Sequence, residues 1–328
     1  NRPQGFAKSD PKKVAVLGAG MMGAGVAYVQ AMAGIETILL DRDQASADKG
    51  KQHVKDLLDK AVAKGRMDAA KAEAVLALVT ATPDYSQIKG ADLIIEAVFE
   101  DKQVKAEAIK KAEAFLDPTS FFGSNTSTLP ITELAQNSNR PASFIGIHFF
   151  SPVERMGLVE IIKGKATTDE TVAKAVDYVL KIRKTPIIVN DARGFYTSRV
   201  FSTYVREGAI MLAEGVKPTI IENVGRMTGM PRAPLEMADD VALDLAVKIA
   251  RATKADLGPK YQATAADGVF EAMVNTFGRQ GRKNLKGFYD YPADPKAKKT
   301  LWAGLSEIAK PTVLECAPDL RDSYKKRL

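Results

Sequence analysis

The stretch KVAVLGAGMMGAG, residues 13–25, decides the fold. Lys13 to Gly18 is a short apolar run with β-branched residues, and Met21 to Ala33 is rich in Ala and Met with no internal Pro, so a strand gives way directly to a helix. Gly18, Gly20 and Gly23 occupy the bend between them. In such a turn the first glycine makes the tight bend, the second lets a ligand approach the backbone, and the third lets helix and strand pack closely. The free N–H groups and positive end of the new helix then favour a phosphate. Met21 and Met22, inside the turn, are assigned with the glycines to a dinucleotide pocket.

Working outward, Glu36 to Asp41 (ETILLD) is again strand-like and ends on an acid 23 residues beyond Gly18. Asp41 can accept hydrogen bonds from ribose hydroxyls, while its charge repels the 2′-phosphate of NADP, so NAD is the expected cofactor. Arg42, next to it, offers a partner for that phosphate and keeps NADP open as a minority alternative. The following helix places Val54, Leu57, Leu58, Ala61 and Val62 at helical spacing. Further apolar strands, Leu78 to Thr82, Ala91 to Val98, Ser120 to Gly123 and Ser143 to Phe149, alternate with Ala/Lys/Glu helices. Each parallel crossover needs a helix, so this alternation predicts an α/β fold with a Rossmann-type, doubly wound, mostly parallel sheet.

After about Asp191 the strands stop, and Ser198 to Gly215, Pro218 to Met227, Pro234 to Ala255 and Asp267 to Phe277 read as helices of an all-α carboxyl-terminal domain. The expected division is a linker over 1–11, a dinucleotide-binding domain over 12–190, a helical domain over 191–290, and a connector with a short tail over 291–328.

Removing hydride from an alcohol needs a base for the hydroxyl proton, and histidine is the common choice. The chain has two histidines. His53 falls with Lys49, Asp56 and Lys60 on the charged face of its helix and reads as solvated surface. His148 ends a strand, at the edge where open α/β sheets bind ligands. Beyond it the chain turns through residues 151–157 and re-enters an apolar stretch, Leu158 to Ile162, which predicts a hairpin. Folding about residue 154 sets His148 opposite Glu160. A carboxylate between Val159 and Ile161 is costly to bury without a partner, and an imidazole N–H is a suitable one. Ser124 to Thr128 follows another strand at the same edge, where Ser127 reads either as a ligand contact or as a cap for the helix near Pro130. Glu96 and Glu100 line the cofactor pocket or pair with Lys102 or Lys105.

With 45% hydrophobic and 27% charged residues over 328 positions, the composition is that of an ordinary globular protein. No apolar run approaches the roughly 18 residues of a membrane-spanning helix. The net charge of +7 favours an anionic ligand. No zinc-finger spacing, basic zipper or aromatic RNA-binding signature accompanies it, so a phosphate-bearing small molecule is expected and nucleic acid is not. The single Cys316 forms neither a disulfide nor a metal cluster, so no metal is expected, and a reducing, cytoplasmic setting fits. The amino terminus, with no initiator Met, reads as a cut within a longer polypeptide.

Taken together, VAVLGAGMMGAG, IIEAVFED, SNTSTLPI, GIHFFSPV, LVEII and ARGFYTSR, in this order, resemble the L-3-hydroxyacyl-CoA dehydrogenase family over residues 12–290. TGMPRAPLEMADDVALD and GRKNLKGFYDY resemble its helical carboxyl domain. The likeness is strongest to the dehydrogenase segment of multifunctional fatty-acid oxidation complex α subunits, in which a hydratase module precedes the dehydrogenase and two helical copies follow. Here Asp319 to Leu328 resembles the start of a second copy. The resemblance implies NAD-dependent oxidation of (S)-3-hydroxyacyl-CoA to 3-oxoacyl-CoA in β-oxidation, with an acyl-CoA substrate. It implies as partners either a second copy joined through the helical domain or the hydratase and thiolase modules of a parent complex.

Carried over by motif, His148 resembles the family's general base, Glu160 its orienting acid, and Ser127 a contact to the substrate oxygen near the nicotinamide. Ala97, Glu100 and Lys105 match cofactor contacts, and Lys60 and Lys64 match lysines near the CoA phosphates. Ser151 and Ser198, assigned to the substrate site, stand where the family commonly has Asn, and Leu285 stands where it has Gly. Two alternatives remain: an NADPH-preferring acetoacetyl-CoA reductase, and an inactive NAD- or CoA-binding fragment. A dehydrogenase relying on a catalytic Lys is disfavoured by the His148/Glu160 pair.

Overall fold

The computed structural model describes residues 2–294 and 296–328. The chain forms two compact units, which meet in sequence between Thr197 and Ser198. The first contains β1 (Lys13–Leu17), α1 (Met21–Met32), β2 (Glu36–Leu40), α2 (Gln44–Ala63), α3 (Ala69–Ala77), β3 (Val79–Thr82), β4 (Leu93–Glu96), α4 (Lys102–Glu113), β5 (Phe121–Ser124), α5 (Ile131–Leu134), β6 (Phe144–Phe149), β7 (Leu158–Lys163), α6 (Asp169–Lys181) and β8 (Thr185–Asn190).

Its eight strands form one sheet in the order β3-β2-β1-β4-β5-β6-β7-β8. All neighbouring pairs are parallel except β6 and β7. The apolar runs have this form because helices cover both faces: Val16, Leu39, Ile95 and Val54 share one core, and Leu17, Ile94, Phe122 and Ile109 another. The strand order reverses between β1 and β4, which opens a crevice at their carboxyl ends, where the glycine turn lies. β8 is the edge strand the sequence reading passed over. Its Pro186 removes a ladder donor, a cost an edge strand tolerates.

The second unit takes up α7 (Thr197–Ala213) and contains α8 (Pro218–Arg226), α9 (Pro234–Val241), α10 (Leu243–Leu257), α11 (Ala265–Glu271), β9 (Tyr289–Asp290), β10 (Thr300–Leu301), α12 (Leu305–Ile308) and α13 (Pro318–Arg327). Tyr204, Leu212, Ile221, Leu235, Phe270 and Phe288 are part of its core. Three expectations are corrected here. The helix expected over 234–255 breaks at Ala242, which takes φ 83°. No Gly or Pro marks the break; it arises where Leu243 N donates to Gln280 O and the end of α9 packs on Gly281. The helix expected over 267–277 starts two residues earlier and widens into a π turn at Ala272–Thr276. Strands also do not stop at 191, since β9 and β10 pair antiparallel around the segment expected as a connector. The tail helix α13 packs on α8, with Tyr324 buried and Arg327 bonded to Glu207 and Glu214.

Asp239 of α9 is fully buried and accepts from Phe288 N, Tyr289 N and the Tyr291 hydroxyl. Gly287 is required beside it, because a Cβ there would lie 2.0 Å from Asp239 Oδ1. Burial pushes the Asp239 carboxyl up to about 7, against the pull of its donors. A carboxyl raised in the folded state holds its proton there while the unfolded chain releases it, so its contribution is complete below the unfolded value near 3.8 and is lost as pH rises through about 7. The thermal midpoint of the wild type minus that of Asp239→Asn is therefore expected to shrink between about pH 5 and 8. A difference that grows over this range contradicts the assignment.

Leu285 has φ 62°, in the left-handed region. That accounts for the glycine the family uses at this position. Leu285→Gly is expected to raise the unfolding free energy by about 0.5–1 kcal/mol, relief of backbone strain being partly offset by the added freedom of the unfolded chain. Urea titration measures it, and a clear loss of stability would show that the leucine's contacts outweigh the strain.

Candidate active site

The carboxyl ends of β1, β2 and β4 border a cleft of about 1570 Å³ lined by Gly18, Gly20, Met21, Met22, Asp41, Arg42 and Ala97. Gly18 turns the chain with φ 92° beneath Ala97 O, which a Cβ would approach to 2.6 Å. A Cβ on Gly23 would stand 1.7 Å from Gly18 O. By contrast, nothing lies within 4 Å of the position a Cβ would take on Gly20. Among the described residues no side chain caps α1 at Gly20, so its first N–H groups remain available to an anion. This cradle fits the pyrophosphate of a dinucleotide.

Asp41 accepts from Ala19 N and Arg42 N, each at 2.7 Å, which fixes the carboxylate at the cleft. Each oxygen keeps lone pairs for a ribose hydroxyl. Arg42, exposed on the cleft lining, pairs through Nε with Asp43 at 3.2 Å.

The β6–β7 register sets His148 directly opposite Glu160, as the fold about residue 154 predicts. His148 Nδ1 lies 2.8 Å from Glu160 Oε2. The same carboxylate accepts from Tyr196 N, Thr197 N and the Thr197 hydroxyl. Burial pushes the Glu160 carboxyl up, but the bonds from His148 and Thr197 outweigh it and hold it below the ordinary range. An ionised carboxylate only accepts, so in the neutral imidazole Nδ1 carries the proton and Nε2 keeps a lone pair. Phe150 and Phe195 flank the ring, with centroids at 4.5 and 5.8 Å. His148 is 7% exposed, so it is buried but not sealed from a ligand.

The loop after His148 is fixed at several points. Lys184, buried, donates from Nζ to Val153 O and Met156 O, both at 2.6 Å. Val153 packs on Gly25 of α1, where a Cβ would come within 2.8 Å of the Val153 Cβ. Ser151, exposed, has its Oγ 4.0 Å from Met21 Sδ. The histidine's loop thus rests on the helix that follows the glycine turn.

Ser127 does not cap the helix near Pro130. Asp191 does, accepting from Ile131 N and Thr132 N. Ser127 instead donates from N and Oγ to Glu100 Oε1, which also accepts from Thr126 Oγ1 and from N and Oγ1 of Thr128. Burial pushes the Glu100 carboxyl up, and the Lys105 charge and these donors bring it below its ordinary value. Lys105 is only 1% exposed, bonded to Glu96 at 2.7 Å and to Glu100 at 3.2 Å. Neither Lys105 nor Glu100 is among the residues lining the cleft.

Lys60 and Lys64 are exposed towards the end of α2, outside the residues lining the cleft. Ser198 is the second residue of α7 and belongs to the other unit. Among the described residues no cluster of three or more His, Cys, Asp or Glu is gathered for a metal, and no helix is long and apolar enough to cross a membrane. The sequence reading missed Lys184, which carries no local signal. It also placed His53 in solvent, whereas His53 is half-buried and lines the cleft together with Lys49 and Asp56.

Residues 13–192 match the model of the 3-hydroxyacyl-CoA dehydrogenase NAD binding domain, and residues 194–291 match that of the 3-hydroxyacyl-CoA dehydrogenase C-terminal domain. A fatty acid oxidation complex subunit alpha from Shewanella sp. (strain MR-7) is 39% identical over 287 residues, covering 87% of this chain and 40% of the relative. The chain therefore spans well under half the length of such relatives. The crystal structure of (S)-3-hydroxybutyryl-CoA dehydrogenase from Ralstonia eutropha superposes with a TM-score of 0.79 at 31% identity, covering 86% of this chain and all of the other. The dehydrogenase part of a multifunctional enzyme from C. elegans gives a TM-score of 0.67 at 27% identity, covering 97% of this chain and 72% of that one. The chain belongs to the 3-hydroxyacyl-CoA dehydrogenase family of NAD-dependent oxidoreductases and carries its NAD-binding domain.

Proposed function

We propose that this member of the 3-hydroxyacyl-CoA dehydrogenase family interconverts (S)-3-hydroxyacyl-CoA and 3-oxoacyl-CoA in fatty-acid β-oxidation, with His148 as the general base. The observation that carries this reading is the buried His148–Glu160 pair, set at the same sheet edge as the glycine turn. NAD, when bound, supplies the hydride acceptor. His148 Nε2 takes the proton of the substrate hydroxyl as hydride leaves C3, and the imidazolium so formed is stabilised by Glu160 at Nδ1. Tyr196 N and Thr197 keep that carboxylate in place and ionised. Ser127 keeps its N–H on Glu100 and is assigned to the substrate oxygen, which its hydroxyl meets by turning away from Glu100, and Ser151 borders the same site from the His148 loop. Gly18, Gly20, Met21, Met22, Gly23, Asp41, Ala97 and Glu100 bind the cofactor, and Lys105 acts through Glu100. In the helical unit Ser198 is assigned to the substrate. Lys60 and Lys64 are assigned to the CoA phosphates.

The Asp41 carboxylate, held at the cleft by Ala19 N and Arg42 N, favours NAD over the NADPH-preferring alternative. The chain is placed in the cytoplasm. Its partner is either a second copy through the helical unit or the other modules of an oxidation complex, and light scattering of the purified chain separates the two. The activity test is NADH loss with acetoacetyl-CoA, run beside NADPH. Binding of NADH without turnover of any 3-oxoacyl-CoA would instead favour an inactive binding fragment.

A further inference from the structure

His53 sits on α2 one helical turn beyond Gly50, and Gly50 is pressed against the glycine turn: a Cβ there would stand 2.6 Å from both Cβ and O of Ala19. The histidine is half-buried in the cleft wall, and among the described residues it makes no hydrogen bond or ion pair. Its ring nitrogens are therefore left to solvent or to a ligand in the cleft, beside the turn assigned to the pyrophosphate.

The permanent charges lining the cleft cancel. Asp41, Asp56 and Glu107 stand against Arg42, Lys49 and Lys111. Several of these are already engaged: Asp41 by two backbone N–H groups, Asp56 by Gln52 Nε2 at 2.8 Å, Glu107 by Gln103 Nε2 at 3.4 Å, and Arg42 by Asp43. Tyr85, the remaining titratable residue of the lining, is pushed up by burial and by Asp41 and stays neutral. Lys49, one turn before His53 on the same face, makes no hydrogen bond or ion pair among the described residues. The proton on His53 thus decides whether this wall is neutral or positive. Asp56, Lys60 and Lys64 continue the same face, so a polar rail of about 22 Å runs from Lys49 to Lys64 at 1.5 Å per residue.

We propose that His53, with Lys49, is a proton-gated contact for a phosphate group of the nucleotide ligand held in this cleft, tight when the imidazole is charged and weak when it is neutral. The proposal rests on the dehydrogenase reading for the identity of the ligands, which offer two sources of that phosphate: the dinucleotide and the CoA moiety. An imidazole loses its charge as pH rises, so the affinity it supports falls with it.

NADH affinity is measured by fluorescence titration, and KM is measured for acetoacetyl-CoA and for acetoacetyl-pantetheine, which lacks the nucleotide and its phosphates. Each is determined at about pH 6 and about pH 8.5 in wild type, His53→Gln and His53→Arg, with circular dichroism as the check on folding. Taking ratios to the variants cancels any pH dependence common to all three proteins. For one phosphate-bearing ligand the wild type is expected to lose about three- to fivefold more affinity at the higher pH than either variant, as for a solvent-accessible ion pair. His53→Gln should be weak at both pH values and His53→Arg tight at both, while acetoacetyl-pantetheine is indifferent to all three. A response from NADH assigns the contact to the dinucleotide, and one from acetoacetyl-CoA alone assigns it to the CoA moiety. The proposal is overturned if His53→Gln keeps the wild-type pH dependence for both ligands, or if the pantetheine compound shows the same dependence. A protein that binds NADH in a His53-dependent manner yet turns over neither thioester would keep this proposal and remove the dehydrogenase reading.

Discussion

His148→Gln is expected to lower kcat for acetoacetyl-CoA reduction by about 10²–10⁴-fold while leaving NADH affinity close to that of the wild type. The split follows from geometry. The imidazole lies at the end of β6, within the hairpin, and its one hydrogen bond among the described residues is to Glu160, so removing it takes away the proton donor and acceptor without touching the glycine turn. Glutamine fills the space between Phe150 and Phe195 and retains a donor for Glu160, but it cannot exchange a proton near neutral pH. Stopped-flow measurement of NADH loss with saturating thioester reads the chemistry, and fluorescence titration reads the affinity. A variant that keeps wild-type turnover would place the proton elsewhere.

Glu160→Gln is expected to be nearly as damaging, by about 10²–10⁴-fold in kcat, although residue 160 need not touch the substrate. The carboxylate takes four donors: Tyr196 N, Thr197 N, the Thr197 hydroxyl and His148 Nδ1. An amide offers one accepting oxygen and a donating NH₂. If the oxygen stays with the two backbone N–H groups, the NH₂ meets His148 Nδ1 and forces the ring proton onto Nε2, the atom that must be free to accept. If the amide turns over, those N–H groups face a donor, at about 1–3 kcal/mol for buried groups left unsatisfied. The two outcomes differ in the laboratory: the first lowers kcat at near-normal stability, and the second lowers the thermal midpoint as well. Nuclear magnetic resonance of the His148 ring nitrogens tells them apart. Unchanged turnover would mean that the tautomer is set by something other than Glu160.

How far the site was legible depended on whether its determinants were local. The strand, glycines and helix of residues 13–25 are consecutive, so a dinucleotide cradle could be read directly, and the chain is a member of an NAD-dependent family. The pairing of His148 with Glu160 was legible because a hairpin's register follows from its loop centre, and the two residues lie equally far from it. Non-local determinants were hidden. Helical spacing puts His53 on a charged face but does not say that this face borders a cleft, a fact set by the contact of Gly50 with Ala19. Lys105, by composition a surface lysine, is buried because Glu96 and Glu100 both reach it from the end of β4 and the turn after it. The break at Ala242 carries no Gly or Pro and depends on a segment some forty residues away, through Gln280 and Gly281. Leu285 was conspicuous in the sequence but could not be interpreted until its positive φ was seen.

The central claim is that one chain couples the glycine cradle to the His148–Glu160 pair in order to reduce and oxidise a CoA thioester. It is tested most directly by following NADH in the presence of acetoacetyl-CoA with the purified wild-type chain and identifying the product. The account predicts saturable NADH consumption that yields (S)-3-hydroxybutyryl-CoA, with NADPH a much poorer donor. Tight NADH binding with no consumption on acetoacetyl-CoA or any longer 3-oxoacyl-CoA, or a product of the opposite configuration, would contradict it.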